Sequence, residues 1–130
     1  QAPVVKGIND LADEWSRLWK NQVKLGMIPY YMLMELNHNQ AGGFHVPPLE
    51  ALRIFKQAQQ NTSGVSRTAR GPSFINDVLR VTIEGELELE GETKLLLKCL
   101  QAPKGLNVEG KVVLVNPDEM SDLLPLFTLN

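Results

Sequence analysis

The feature that most constrains the fold of this chain is a short apolar stretch at residues 27–35, MIPYYMLME. A run this apolar and this short predicts a strand buried on both faces, as in a parallel sheet. Pro29 fits only near the start of such a strand, where no ladder donor is needed. A helical pattern lies on each side, so the order helix–strand–helix predicts an α/β sheet with crossover helices.

Two amphipathic helices are predicted around this strand. The first covers about residues 10–25, with Asp10 as a suitable N-cap and Gly26 as a natural stop. Its apolar residues recur at helical spacing and are Leu11, Trp15, Leu18, Trp19 and Val23. The second opens at Pro47-Pro48 and ends near Thr62, because proline is tolerated in a first turn.

The carboxyl-terminal part of the chain has a different periodicity. Segment 63–73 has little periodicity and is interpreted as a loop or a short irregular strand. From Asp77 apolar and polar residues alternate, which predicts β-structure with a turn at Gly91. Strands are predicted at 78–84, 86–90, 93–100 and 112–115, followed by a short helix at 118–124. We therefore expect an α/β part at residues 1–76 and a β-rich extension at residues 77–130.

The net charge, the hydropathy and the cysteine count of the chain argue against several classes of protein. A net charge of -2 gives no reason to expect nucleic-acid binding, and no apolar run approaches the ~20 residues of a membrane span. Cys99 is the only cysteine, so an internal disulfide is impossible and a thiolate-held cluster lacks ligands. We expect a reducing, cytoplasmic location. The opening Gln1-Ala2-Pro3, without an initiator Met, leads us to expect a processed or excised piece.

Two arginines are the strongest candidates for ligand binding from the residues alone. Arg67 and Arg70 flank Thr68-Ala69 in a segment rich in Gly and Ser, and such a pair can clamp a carboxylate or a phosphate. The alternative is that both are surface arginines, or that they pair with the acidic hairpin farther along the chain.

For the other polar residues the sequence favours structural roles over ligand binding. The five glutamates at 84, 86, 88, 90 and 92 share one parity, and a solvated outer strand face explains them better than a cation site. His38 and His45 lack an evident third ligand for a metal. Tyr30 and Tyr31 should point to opposite faces of the strand, one into the core and the other toward a pocket. The polar residues 37–40 follow the strand's carboxyl end, where α/β folds place ligands.

Four separated segments carry a resemblance to a known family. They are residues 1–10 (QAPVVKGIND), 19–32 (WKNQVKLGMIPYYM), 46–51 (VPPLEA) and 63–73 (SGVSRTARGPS). In order and spacing they resemble the carboxyl-terminal part of the lysine 2,3-aminomutase-like branch of the radical S-adenosylmethionine family. The resemblance covers about residues 1–75 well and the remainder more loosely.

The resemblance implies a fold and a set of cofactors. The chain would form a βαβα portion of a partial (β/α) barrel, followed by a β-hairpin extension. In the family, a [4Fe–4S] cluster cleaves S-adenosylmethionine to a 5′-deoxyadenosyl radical, and the aminomutases also carry pyridoxal phosphate. Gln1 and the turn with Asn9 would lie near S-adenosylmethionine. Arg67, Arg70 and Tyr31 are the candidate ligands of a small-molecule substrate or anion, and we assign no catalytic residue.

The chain also departs from the family. It has no C-x-x-x-C-x-x-C loop, so the cluster and S-adenosylmethionine cleavage are implied only for a longer parent. Segment 72–77 has no lysine to form a Schiff base with pyridoxal phosphate, and Glu35-Leu36-Asn37 stands where the aminomutases have a substrate-contacting aspartate. Two hypotheses result: a fragment of a radical enzyme, or a non-catalytic interaction or regulatory domain. In both, exposed sheet edges predict pairing with the remaining barrel half or self-association.

Overall fold

The computed structural model describes residues 1–36, 42–76 and 78–129. The strands are β1 (Ala2–Pro3), β2 (Tyr31–Leu33), β3 (Arg70–Asn76), β4 (Leu79–Leu89), β5 (Glu92–Gln101) and β6 (Val112–Val115). The helices are α1 (Ala12–Lys24), α2 (Pro48–Gln60) and α3 (Leu124–Thr128), with 3₁₀ turns at Gly42–Phe44 and Gly64–Arg67. The strands form one open sheet in the order β1-β2-β3-β4-β5-β6. The predicted α/β class is confirmed.

The chain divides into two compact units, Gln1–Pro72 and Ser73–Asn130. In the first unit, β1 pairs in parallel with β2, so that Ala2 lies opposite Met32 and Pro3 opposite Leu33. The connection between them runs through α1, as a parallel pair requires. The first unit therefore contains a β-α-β crossover whose second strand lies in the apolar stretch.

The first part of β3 continues this arrangement. The Arg70 N–H donates to the Tyr30 carbonyl at 2.6 Å, and one residue farther along Gly71 lies against Met32. The contacts thus advance in the same direction along both segments, which is the order of a parallel pair. Because α2 connects the two, the first unit repeats the strand–helix–strand pattern.

Helices α1 and α2 pack on each other through aromatic side chains. Trp19 is edge-on to Phe55 with 5.6 Å between ring centroids, and Trp15 lies 5.8 Å from Trp19. The Ser16 hydroxyl donates to the Ala58 carbonyl of α2 at 3.0 Å in the buried contact. Trp15, Trp19 and Phe55 are each 4% exposed or less, so their burial contributes to the hydrophobic stabilisation of this pair of helices.

The second unit is an antiparallel β-structure. Strands β4 and β5 form a hairpin whose turn residues Glu90 and Gly91 both have positive φ, as a two-residue type I′ turn requires. Strand β6 adds to β5 in antiparallel register. The core is formed by apolar side chains that are 0 or 1% exposed, namely Leu79, Val81, Ile83, Leu95, Leu97, Cys99, Val108, Leu123 and Phe127.

Several local predictions were wrong. The helix expected at 118–124 is absent there, and α3 begins only at Leu124. The apolar stretch is extended mainly at Tyr31–Leu33, and Leu11 instead of Asp10 occupies the N-cap of α1. The five glutamates are exposed, as expected of a solvated strand face, and a register shift between Ile83 and Gly85 interrupts their shared parity. Segment 63–73, interpreted as a loop or a short irregular strand, contains the second 3₁₀ turn and the start of β3, which agrees with the second interpretation.

Candidate functional site

The candidate site lies at the carboxyl ends of β1 and β2. Because these strands are parallel, their carboxyl ends share one edge, and ligands of α/β folds bind at this edge. The Val4 N–H donates to the Leu33 carbonyl at 2.8 Å, and the Lys6 N–H donates to the Phe44 carbonyl at 2.9 Å. These bonds hold the segment after β1 beside the segment that leads into α2.

Asn9 shapes the turn between β1 and α1. Its side-chain oxygen accepts the Val5 N–H at 2.6 Å, and its amide nitrogen donates to the Pro3 carbonyl at 2.8 Å. Its carbonyl accepts the Trp15 indole N–H at 2.6 Å. Asn9 therefore fixes the loop at the carboxyl edge and ties it to α1, and its expected contact with S-adenosylmethionine stays a prediction.

An ammonium and two carboxylates meet at this edge. Lys6 Nζ lies 2.8 Å from a Glu50 carboxylate oxygen and 3.6 Å from one of Asp10. The hydrogen bond to Glu50 raises the pKa of Lys6, and the backbone hydrogen bond from Gly7 lowers the pKa of Asp10. The Lys6 side chain is 45% exposed, so the group remains open to solvent and to a polar ligand.

The histidines and the polar segment contribute less to the described site. The His45 Nδ1 atom lies 3.0 Å from the Glu35 carbonyl oxygen, which joins the two sides of the loop after β2. His38 and the polar residues 37–40 lie outside the described residues, so their predicted roles stay predictions.

The remaining predicted ligands are placed elsewhere. Gln1 precedes β1, Arg67 precedes β3, and Arg70 is the first residue of β3. All three therefore lie at the amino ends of strands, opposite the edge with Asn9. Tyr31 is buried at 7% exposure, whereas the neighbouring Tyr30 is 49% exposed. The structure thus does not bring Asn9 together with the two arginines, and binding by these residues stays a prediction.

The chain's own residues do not fit an iron–sulfur cluster. A cluster of this kind is held by several thiolates, and the chain has one cysteine, Cys99, which is buried in β5. Within residues 1–36, 42–76 and 78–129, no group of three or more His, Cys, Asp or Glu side chains could hold a metal ion.

A Schiff base with pyridoxal phosphate is likewise unsupported. Segment 72–77 contains no lysine. At the carboxyl edge the described ammonium is that of Lys6, which pairs with the carboxylates of Glu50 and Asp10.

Sequence reasoning missed the cluster of Lys6 with Asp10 and Glu50. The spacing of Lys6 and Asp10 could have indicated the shorter-range pair, because the two are four residues apart. Glu50 is 44 residues from Lys6, and only the packing of α2 beside the loop brings it there.

Comparisons with protein-family models, curated proteins and solved structures gave no match. In the part of the chain that the structure describes, helices are all too short or too polar to cross a membrane.

Proposed function

We propose that this chain is the carboxyl-terminal part of a radical S-adenosylmethionine protein of the lysine 2,3-aminomutase-like branch. It would contribute part of the S-adenosylmethionine and substrate side of a (β/α) barrel, while the iron–sulfur loop belongs to a longer parent. The observation that carries the proposal is the parallel pairing of β1 with β2 across α1, with a polar loop at their carboxyl edge. A barrel of this class is built from such units, and its ligands bind at that edge.

The polar groups at the carboxyl edge support an amino-acid ligand. The Lys6 ammonium can pair with a carboxylate, and the carboxylates of Asp10 and Glu50 can pair with an amine. S-Adenosylmethionine and an amino-acid substrate both present these two groups. When bound in the parent, the cluster would supply the electron for S-adenosylmethionine cleavage, whereas these residues would bind and orient the ligand. In this proposal the protein is cytoplasmic.

The test uses the polypeptide encoded by the complete reading frame, purified without oxygen. We expect a C-x-x-x-C-x-x-C motif upstream, bound iron and sulfide, and 5′-deoxyadenosine formation when dithionite and S-adenosylmethionine are added. Lys6→Met should weaken S-adenosylmethionine binding about tenfold, and Lys56→Met, on the exposed side of α2, should leave it unchanged. A reading frame without the motif, or a protein that forms no 5′-deoxyadenosine, would contradict the proposal.

The alternative function is a non-catalytic interaction or regulatory domain on the same scaffold. It is favoured by the poor fit of the chain's residues to a cluster and by its many exposed large apolar side chains. The two functions differ in the anaerobic experiment, because an interaction domain binds neither iron nor S-adenosylmethionine.

A further inference from the structure

One surface of the first unit combines exposed apolar side chains with positive charge. Leu25, Met27, Ile28, Tyr30 and Val65 are each about half exposed or more, and Leu25 and Ile28 reach 75% and 74%. Residues 25–30 and 64–70 lie side by side, because the Thr68 hydroxyl contacts the Pro29 carbonyl at 3.4 Å and the Arg70 N–H donates to the Tyr30 carbonyl. We call this the basic apolar surface.

The charges on this surface have one sign. Segments 20–30 and 63–70 contain Lys20, Lys24, Arg67 and Arg70 and no acidic residue, although the whole chain has a net charge of -2. All four side chains are exposed. An apolar surface edged by one sign of charge is typical of an interaction site.

The second unit carries a surface of complementary chemistry. Segment 84–92 contains five glutamates and two leucines, and the residues that pair with it, Thr93 and Lys94, add one basic side chain, which bonds Glu92. We call residues 84–94 the acidic ribbon. Strand β3 pairs with β4 only as far as Thr82, and β6 pairs with β5 only from Leu95, so among the described strands residues 85–89 pair with residues 92–96 of β5 alone. Leu87 and Leu89 are 36% and 46% exposed on it. A two-stranded ribbon is marginally stable in water, so a partner that covers its leucines would stabilise it.

We propose that the basic apolar surface of one copy binds the acidic ribbon of a second copy. Side chains alternate along a strand, so Leu87 and Leu89 face one side of the ribbon and Glu86 and Glu88 face the other. A ribbon whose edge rests along the line where the two adjacent segments meet would turn its leucines toward residues 25–28 and its glutamates toward Arg67 and Arg70. The carboxylates that Arg67 and Arg70 bind are then glutamate side chains of the second copy, not those of a small-molecule ligand. The inference is independent of the radical chemistry.

The test is a charge exchange followed by analytical ultracentrifugation over a concentration series. We expect the unaltered chain to self-associate, more weakly at high salt. The Arg67→Glu/Arg70→Glu and Glu86→Arg/Glu88→Arg variants should each raise the dissociation constant about tenfold or more, because like charges then meet. Mixing the two variants should restore association, because each mismatched surface now meets an opposite charge. Circular dichroism checks that both variants are folded.

A matched control changes the same number of charges elsewhere. Arg17→Glu/Lys56→Glu alters exposed positions on α1 and α2 outside the surface and should associate like the unaltered chain. A monomer at every concentration would overturn the proposal, as would a mixture of the two variants that stays dissociated. It would equally be overturned if the monomer sedimented with phosphatidylserine-containing vesicles and the Arg67→Glu/Arg70→Glu variant did not, since the surface would then bind membranes.

Discussion

Gly71 lies directly against Met32. A Cβ atom added to Gly71 would be 2.6 Å from the Met32 carbonyl oxygen and 3.2 Å from the Met32 Cβ, and the φ of Gly71 is +134°. Both the contact and the backbone conformation therefore require glycine at this position. This close approach allows the start of β3 to lie beside β2.

Replacing Gly71 by alanine should separate these two segments. We expect Gly71→Ala to lower the free energy of unfolding by about 2–4 kcal/mol, from backbone strain plus the contact with Met32. The control is Gly26→Ala, because Gly26 also has positive φ but an added Cβ would have nothing within 4 Å. This variant should lower the free energy of unfolding by about 1 kcal/mol. Urea unfolding followed by circular dichroism measures both; equal losses would show that the contact of Gly71 with Met32 does not require glycine.

The turn held by Asn9 makes a second prediction. Asn9→Ala removes the acceptor of the Val5 N–H and the donor to the Pro3 carbonyl, and should lower the free energy of unfolding by about 1–3 kcal/mol. Asn21→Ala, at an exposed position on α1, should change it by less than about 0.5 kcal/mol. If both variants unfolded at the same denaturant concentration, Asn9 would not hold the turn.

The packing of α1 on α2 depends on Phe55, which is 4% exposed and edge-on to Trp19. Phe55→Ala should lower the free energy of unfolding by about 3–5 kcal/mol, because it leaves a cavity beside the indole. Lys56→Ala changes the next, exposed residue and should be nearly neutral. Tryptophan fluorescence reports the change directly, and an unaltered emission maximum in Phe55→Ala would count against this contact.

The charge cluster at the carboxyl edge predicts the pH dependence of stability. The pKa of Asp10 is lowered from 3.8, so its stabilising contribution is present above that value and disappears as the pH falls through the lowered pKa. The pKa of Lys6 is raised from 10.5, so its contribution is present below that value and disappears as the pH rises through the raised pKa. Asp10→Asn should therefore flatten the acid side of the Tm profile, and Lys6→Met the alkaline side.

These two effects should be small, because both side chains are open to solvent and salt. The profiles are measured by thermal melting at low and high ionic strength. Variants whose profiles matched that of the unaltered chain at low ionic strength would show that the cluster does not contribute to stability.

Elements with strong periodicity and clear end signals could be predicted from the sequence. The first helix was expected at about 10–25 and is Ala12–Lys24, and the hairpin turn was expected at Gly91, which has φ of +79°. In both places, local residue chemistry and tertiary packing favour the same structure.

Other features depend on contacts that one sequence does not reveal. Asp10 was predicted to be an N-cap, but its carboxylate accepts a hydrogen bond from the Gly7 backbone and pairs with Lys6. Segment 63–73 lacks periodicity, yet its end becomes a strand because Gly71 fits against Met32. Helix packing brings Glu50 to Lys6. Strand direction places Arg67 and Arg70 at the edge opposite Asn9.

Interstrand nuclear Overhauser effects show whether β1 and β2 run in parallel across α1, the arrangement on which the proposed function depends. In isotope-labelled protein we predict contacts that advance in the same direction, from Ala2 with Met32 to Pro3 with Leu33, and slow exchange of the Val4 amide proton that bonds the Leu33 carbonyl. Contacts in the reverse order, or none between these residues, would contradict the α/β unit and the function proposed from it.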